Sequence, residues 1–148
     1  MARFMPPLAT IGYEGATQPE VLDRLTSARV DLLIDVRAVA ASRRAGFSKS
    51  VLAASLGAAG IAYLHLRDLG TPKAGRDAAR AGRTAEMQRI FAAHMAEPPA
   101  QAAFAKASAL IGQRSCCLLC FEAEHDRCHR AILAEDFSRT LRCEVVHL

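Results

Sequence analysis

The sequence has no tryptophan, and aromatic residues make up only 5% of its 148 residues. Proteins that bind single-stranded nucleic acid by stacking its bases need aromatic side chains, so this composition argues against such a surface. No apolar run reaches the length of a membrane-spanning helix. The first nine residues are too few and too interrupted by proline for the apolar region of a signal peptide. We therefore expect a soluble, cytoplasmic protein with no membrane partner.

The five cysteines are an odd number in a chain long enough to form a sizeable core, which argues against a disulfide framework. With 51% hydrophobic residues, the chain fits one folded domain over residues 1–148. Its formal charge is +4, and arginine, which binds phosphates and carboxylates through a planar fork, supplies most cations. A small anionic ligand or a nucleic acid is the expected partner. On composition alone, a solvated arginine surface is the simpler explanation.

Five short apolar segments predict strands, at residues 8–13, 30–36, 61–66, 116–121 and 143–147. The second contains Leu32-Leu33-Ile34 without polar alternation, which indicates burial on both faces and a parallel sheet. Helices are predicted from Thr17, from Ser48 to the stop at Gly60, from near 84, from near 99, and over 131–141. This alternation predicts a three-layer, Rossmann-like α/β domain, with helices on both faces of a mostly parallel five-stranded sheet.

The stretch 67–83 is rich in glycine and arginine and is too long for an ordinary connection. We expect it to be either functional or mobile. Polar residues stand at the ends of four predicted strands: Gly12, Asp35 with Arg37, His65, and Cys120 with Glu122. These ends share one edge of a parallel sheet, where α/β proteins bind ligands. Asp35 equally fits a structural acid that binds loop amides, and His65 a buried core histidine.

The segment 120–130 concentrates thiols, imidazoles, acids and guanidinium groups. Cys120, near a helix start and near arginines, is a candidate nucleophile, although the neighbouring acids oppose its activation. Cys128, His129 and Arg130 fall at that helix start, where amide groups favour anions. Cys117 is predicted to lie about 10 Å from Cys120 on the opposite strand face, so the two cannot bridge. Like Cys117, Cys116 and Cys143 fit buried apolar positions.

A metal site at Cys120, His125, Cys128 and His129 is weighed and rejected, because their spacing matches no common zinc pattern. Adjacent residues within a helix also point about 100° apart. We assign no metal ligand, and no cofactor is identified.

The chain resembles the bacterial family known as domain of unknown function 488. The resemblance spans nearly the whole chain and rests on these segments: Thr10-Ile11-Gly12-Tyr13, Leu32-Leu33-Ile34-Asp35-Val36-Arg37, Ser42-Arg43-Arg44 with Phe47, Gly60-Ile61-Ala62-Tyr63-Leu64-His65-Leu66, Leu118-Leu119-Cys120-Phe121-Glu122 and Cys128-His129-Arg130. It implies an α/β fold but no established reaction, and it leaves His125 outside the signature. By this resemblance the site positions are Gly12, Asp35, Arg37, Arg43, Cys120, Glu122, Cys128, His129 and Arg130. Residues 38–41 depart from the family, which often has a proline there.

A fainter likeness is to rhodanese-type domains, in which a strand ends in Asp-Val-Arg and a later strand delivers a nucleophilic cysteine. Cys120 takes that position here, but the loop after it is longer and more acidic than a rhodanese loop.

The leading hypothesis is that the domain binds a phosphorylated or nucleotide-like anion. Arg37, Arg43 and Arg130 would hold the anion, and Cys120 or Glu122 would perform any chemistry. The alternatives are a nucleic-acid-binding module that uses the arginines of the loop 37–47 and the stretch 67–83, and a thiol-dependent enzyme acting through Cys120. Whether the protein is an enzyme, and its oligomeric state, stay open.

Overall fold

The computed structural model describes residues 5–148. Five strands form a parallel sheet in the order β3-β2-β4-β1-β5. The strands are β1 (Leu8–Gly12), β2 (Leu32–Asp35), β3 (Ala62–His65), β4 (Cys116–Cys120) and β5 (Val145–His147). All four pairings between neighbouring strands are parallel. The predicted α/β class is confirmed, and the sheet is wholly parallel within the described residues.

Six helices connect the strands: α1 (Gln18–Ser27), α2 (Lys49–Ala58), α3 (Lys73–Arg80), α4 (Thr84–Met95), α5 (Pro98–Ile111) and α6 (His129–Leu141). Two 3₁₀ turns lie at Arg67–Leu69 and His125–Arg127. Thr17 caps α1 by accepting the backbone N–H of Glu20 at 3.3 Å, as the sequence predicted. Gly60, at φ 79°, follows the end of α2.

Two apolar cores lie on opposite faces of the sheet, each between the sheet and a layer of helices. One core contains Leu33 and Cys117 of the sheet together with residues of α1 and α2. The other contains Ile34 and Cys120 together with residues of α3, α4, α5 and α6. Cys117 and Cys120 therefore lie on opposite faces, as predicted. Helices cover both faces of the sheet, which confirms the three-layer architecture.

The stretch 67–83 is not a structureless connection. It forms the first 3₁₀ turn and α3, and the buried residues of α3 are Gly75 and Ala78. A Cβ at Gly75 would overlap Thr71, and it would lie 3.2 Å from Ile90 of α4. Helix α3 therefore packs through its smallest residues, and its long side chains are left to face outward.

The connections open a crevice at the carboxyl edge of the sheet. The loops after β1 and β2 lead to α1 and α2, whereas the loop after β4 leads to α6 on the opposite face. Because β4 lies between β1 and β2, these loops diverge above the strand ends, where open α/β sheets bind ligands.

Over residues 5–148, no helix has both the length and the apolar character needed to cross a lipid bilayer.

Candidate functional site

A cavity of about 730 Å³ lies in this crevice. Its walls come from the loops after β1, β2 and β4, from Thr71 and α3, and from the start of α6. The volume falls within the range of about 300–1,000 Å³ common for small-molecule sites. Six predicted site residues line it, namely Arg37, Arg43, Cys120, Glu122, Cys128 and His129.

Five arginines and two carboxylates line the cavity, so positive side chains outnumber negative ones. The arginines are Arg37, Arg43, Arg76, Arg80 and Arg127, and the carboxylates are Glu14 and Glu122. Three of these arginines were not predicted individually. Arg76 and Arg80 are four residues apart on α3, a spacing that brings two side chains to one face of a helix. That spacing, within the stretch 67–83, is the sequence feature from which Arg76 and Arg80 could have been predicted.

Arg37 is held by Asp35 at the base of the cavity. Its Nε and Nη2 donate to the two carboxylate oxygens at 2.9 Å and 2.6 Å, and its backbone N–H donates at 3.1 Å. Its Nη1 donates to the Tyr13 hydroxyl and to the Phe47 carbonyl. The Tyr63 hydroxyl also donates to Asp35, which is fully buried. Asp35 therefore acts as a structural acid, and most donors of Arg37 are already used.

Charge and burial shift the pKa values in this cluster. Burial alone lowers the pKa of Arg37, but the hydrogen bonds and charge of Asp35 outweigh it and raise the pKa overall. Burial, followed by the hydrogen bond to Asp35, raises the pKa of Tyr63. The ion pair of Arg37 with Asp35 fixes the loop that follows β2.

Arg130 lies behind the cavity and not on its surface. Only 1% of it is exposed. Its Nε donates to Thr10 Oγ1 at 3.3 Å, its Nη1 to the Glu122 carbonyl, and its Nη2 to the Ala123 carbonyl at 3.1 Å. The structure thus places Arg130, predicted to hold an anion, away from the residues that line the cavity, where this arginine fastens the loop after β4. Gly12, which lies against it, is likewise outside the lining.

Cys120 ends β4 and Cys128 caps α6, and their sulfur atoms form a disulfide in the cavity wall. The odd cysteine count predicted no disulfide framework and gave no sign of this pair. The Cα atoms are 7.3 Å apart. Glu122 Oε2 lies 3.1 Å from the Cys120 sulfur. Burial raises the pKa of Glu122. The remaining cysteines, Cys116, Cys117 and Cys143, are free and buried, as predicted.

His129 presents a lone pair to these sulfurs. Its Nε2 lies 2.8 Å from the Val36 carbonyl, which only accepts hydrogen bonds, so Nε2 carries the proton. Its Nδ1 is therefore an acceptor, 3.7 Å from the Cys128 sulfur. Burial lowers the pKa of His129 to about 4, so the ring is neutral at neutral pH.

The prediction that the side chains of Cys128 and His129 point too far apart to share an ion was wrong. Cys128 is the cap of α6, with φ −123° and ψ 143°, and not a residue within the helical turn. Its sulfur and the His129 ring therefore converge. The ligand atoms of Cys120, Cys128 and His129 all lie within 4.8 Å of one another. His125 lies elsewhere and stacks on His147, with ring centroids 3.6 Å apart.

A family model with the description "Domain of unknown function DUF488" matches residues 17–137. The match covers all the predicted site residues except Gly12. No curated protein matches the chain, and no solved structure matches it.

Proposed function

The chain belongs to the family of the Domain of unknown function DUF488, and we propose that its cavity binds a small phosphorylated, nucleotide-like anion. The observation that supports this most directly is the excess of five arginines over two carboxylates around one cavity at the carboxyl edge of the sheet. Guanidinium groups bind phosphate oxygens in pairs through charge-assisted hydrogen bonds.

The arginines proposed to contact the ligand are those whose guanidinium N–H groups are not all used in contacts within the protein. Arg43 is exposed and makes no ion pair and no side-chain hydrogen bond with any part of residues 5–148. Within residues 5–148, Asp77 is the only ion-pair partner of Arg80, at 3.6 Å, and an exposed pair of this kind contributes little. Arg76 donates one N–H to the Thr71 carbonyl. In this proposal Arg43 keeps the role first given to Arg37, Arg43 and Arg130, and Arg76 and Arg80 join it in place of the other two.

The lining also has an apolar part. Phe121 is 40% exposed and Val39 is 56% exposed, which is unusual for large apolar side chains, and both line the cavity. The Tyr13 ring meets Phe121 edge-on, with centroids 5.3 Å apart. A ligand with a flat or apolar part beside its phosphate would cover this surface, which favours a nucleotide over inorganic phosphate.

Calorimetric titration tests the proposal with adenosine 5′-monophosphate, ribose 5-phosphate and uncharged adenosine. We expect the two phosphorylated compounds to bind, and adenosine to bind at least about tenfold more weakly. A double variant, Arg43→Ala with Arg80→Ala, should weaken phosphate binding by about tenfold or more, since each side chain would supply a charged hydrogen bond. Arg89→Ala is the matched control, because Arg89 is exposed on α4 and does not line the cavity.

Equal affinity of the double variant and the Arg89→Ala control would refute the proposal, as would a failure of both phosphorylated compounds to bind the wild type. A single-stranded oligonucleotide titrated over a range of salt concentrations tests the nucleic-acid alternative. Binding of the oligonucleotide that falls steeply with salt, without binding of the monophosphate, would replace the proposal by that alternative.

Thiol chemistry at Cys120 is the second candidate function, and the sulfur pair in the cavity wall favours it. After reduction, a nucleophilic thiol at Cys120 would react with iodoacetamide near neutral pH faster than Cys143, although the side chains of both are buried. Mass spectrometry of partly labelled protein gives both rates. A Cys120 that labels no faster than Cys143 removes this candidate.

A further inference from the structure

We propose that Cys120, Cys128 and His129 bind a zinc ion in the cavity wall when the disulfide between the two cysteines is reduced. All three residues are buried, and their ligand atoms lie within 4.8 Å of one another. This site goes beyond anion binding in the cavity and does not depend on it.

The donor set suits zinc. Two thiolates and one imidazole are ligands that zinc prefers, and catalytic zinc sites have three protein ligands with a fourth position open. The Cys128 sulfur and the His129 Nδ1 are 3.7 Å apart. Tetrahedral zinc, with bonds of about 2.3 Å to sulfur and about 2.0–2.1 Å to nitrogen, separates two such ligands by about 3.6 Å. The spacing of this pair thus needs almost no adjustment.

The tautomer and orientation of the His129 ring already suit metal coordination. Its Nε2–H donates to the Val36 carbonyl at 2.8 Å, which directs the lone pair of Nδ1 towards the sulfurs. Metal-binding histidines usually donate their second N–H to a carbonyl or carboxylate in this way, and the contact fixes both tautomer and ring orientation. The contact comes from Val36, directly after β2, so it does not rely on a flexible partner.

The backbone separation of the two cysteines also favours an ion between them. Their Cα atoms are 7.3 Å apart. Protein disulfides usually have Cα separations of about 4.4–6.8 Å. A zinc ion between the two sulfurs would accommodate this longer separation of the Cα atoms. Arg130 Nη1, 3.8 Å from the Cys120 sulfur, would donate to a thiolate there.

The fourth position would face the cavity, which all three ligand residues line. Glu122 is the nearest acid, with Oε2 at 3.1 Å from the Cys120 sulfur. Its carboxylate either completes the zinc coordination or accepts a hydrogen bond from a zinc-bound water.

Metal binding requires reduction first, because a disulfide has no thiolate to offer. A phosphine supplies two electrons and takes an oxygen atom from water to become its oxide. The S–S bond breaks and two protons complete the thiols. Zinc then forms two Zn–S bonds and releases those two protons.

Titration of the intact wild-type protein with Co²⁺, and then with Zn²⁺, tests the site. The protein is reduced with tris(2-carboxyethyl)phosphine without oxygen, and the excess phosphine is removed. We expect one equivalent of Co²⁺, with visible absorption of a tetrahedral ion and near-ultraviolet thiolate-to-cobalt charge transfer, both abolished by one equivalent of Zn²⁺. Cys120→Ser and Cys128→Ser should each weaken binding by about 100-fold or more, a loss at least as large as those measured at supporting residues of metal sites. Cys143→Ser, at a buried cysteine outside the cluster, should bind as the wild type does.

A reduced wild type without thiolate-to-cobalt absorption would overturn the inference, and so would an equal loss of binding in Cys143→Ser and Cys120→Ser. Should the cluster variants fail to fold, zinc K-edge X-ray absorption of the wild type decides. Two sulfur neighbours in the first shell support the site, and a shell of nitrogen and oxygen alone refutes it.

Discussion

Gly12 leaves the space that the carbonyl oxygen of Glu122 occupies. A Cβ at Gly12 would overlap that oxygen and would lie 2.9 Å from Nη1 of Arg130. The end of β1 and the loop after β4 therefore come into direct backbone contact, and the buried guanidinium binds the same carbonyl. This contact determines where the chain runs as it leaves Cys120.

Gly12→Ala should lower the free energy of unfolding by about 1–3 kcal/mol, because the added methyl displaces the Glu122 carbonyl from Arg130. Gly57→Ala is the control. Gly57 lies in α2 with nothing within 4 Å of an added Cβ, so alanine there should stabilise by about 0.5–1 kcal/mol. Urea denaturation measures both, and shifts of the same sign would contradict the expectation.

Arg130→Met should destabilise the fold by at least about 2 kcal/mol, because it leaves the carbonyls of Glu122 and Ala123 without their donor. Arg139→Met, on an exposed and ion-paired side chain, should change stability by no more than about 0.5 kcal/mol. Chemical denaturation compares the two variants. A neutral Arg130→Met would show that the loop after β4 does not need its guanidinium.

Asp35→Asn should be more destabilising than Tyr63→Phe. The first change leaves the buried Arg37 without its counter-charge, at a cost of about 3–5 kcal/mol. The second removes one hydrogen bond to the carboxylate, worth about 1.5–3 kcal/mol. The double variant completes a cycle, and a coupling energy near zero would mean that the Tyr63 hydroxyl does not act through Asp35.

Stability should fall with pH above about 10 through Tyr63. Its pKa in the folded protein is raised from the ordinary value of 10.0 by burial and by the hydrogen bond to Asp35. The unfolded chain therefore loses this proton first, and the tyrosine contribution is complete below pH 10 and lost as pH rises towards the folded pKa. Urea denaturation at several alkaline pH values should show a shallower decline for Tyr63→Phe. Parallel declines would contradict the assignment.

The sheet was predictable because its signals are local. The unbroken run Leu32-Leu33-Ile34 indicated burial on both faces, and Thr17 with Glu20 marked the start of α1. Helix α3 was not predicted, because a helix that packs through Gly75 and Ala78 has no apolar periodicity to detect.

The strand ends beside the candidate site were predictable from the sequence, but the pairings of its side chains were not. Asp35, Arg37 and Cys120 were placed at the correct edge, since the carboxyl ends of parallel strands share it. Which arginine meets an acid, a carbonyl or the cavity depends on neighbours distant in sequence, such as Thr10 for Arg130. The sulfur pair depends on Cys128 standing just before α6, whereas Cys128 and His129 were predicted to be neighbours within the helix.

The base of the cavity and its wall at α3 differ in how strongly their arginines are held in place. Arg37 at the base is buried and uses most of its donors in hydrogen bonds, whereas Arg80 on α3 is 74% exposed beside Asp77. Under the proposed anion-binding function, substitutions on α3 should therefore change which ligand the cavity accepts while the sheet and its folding stay intact. The effects of substitutions at Arg76 or Arg80 are thus separable from those at the buried strand ends beneath them.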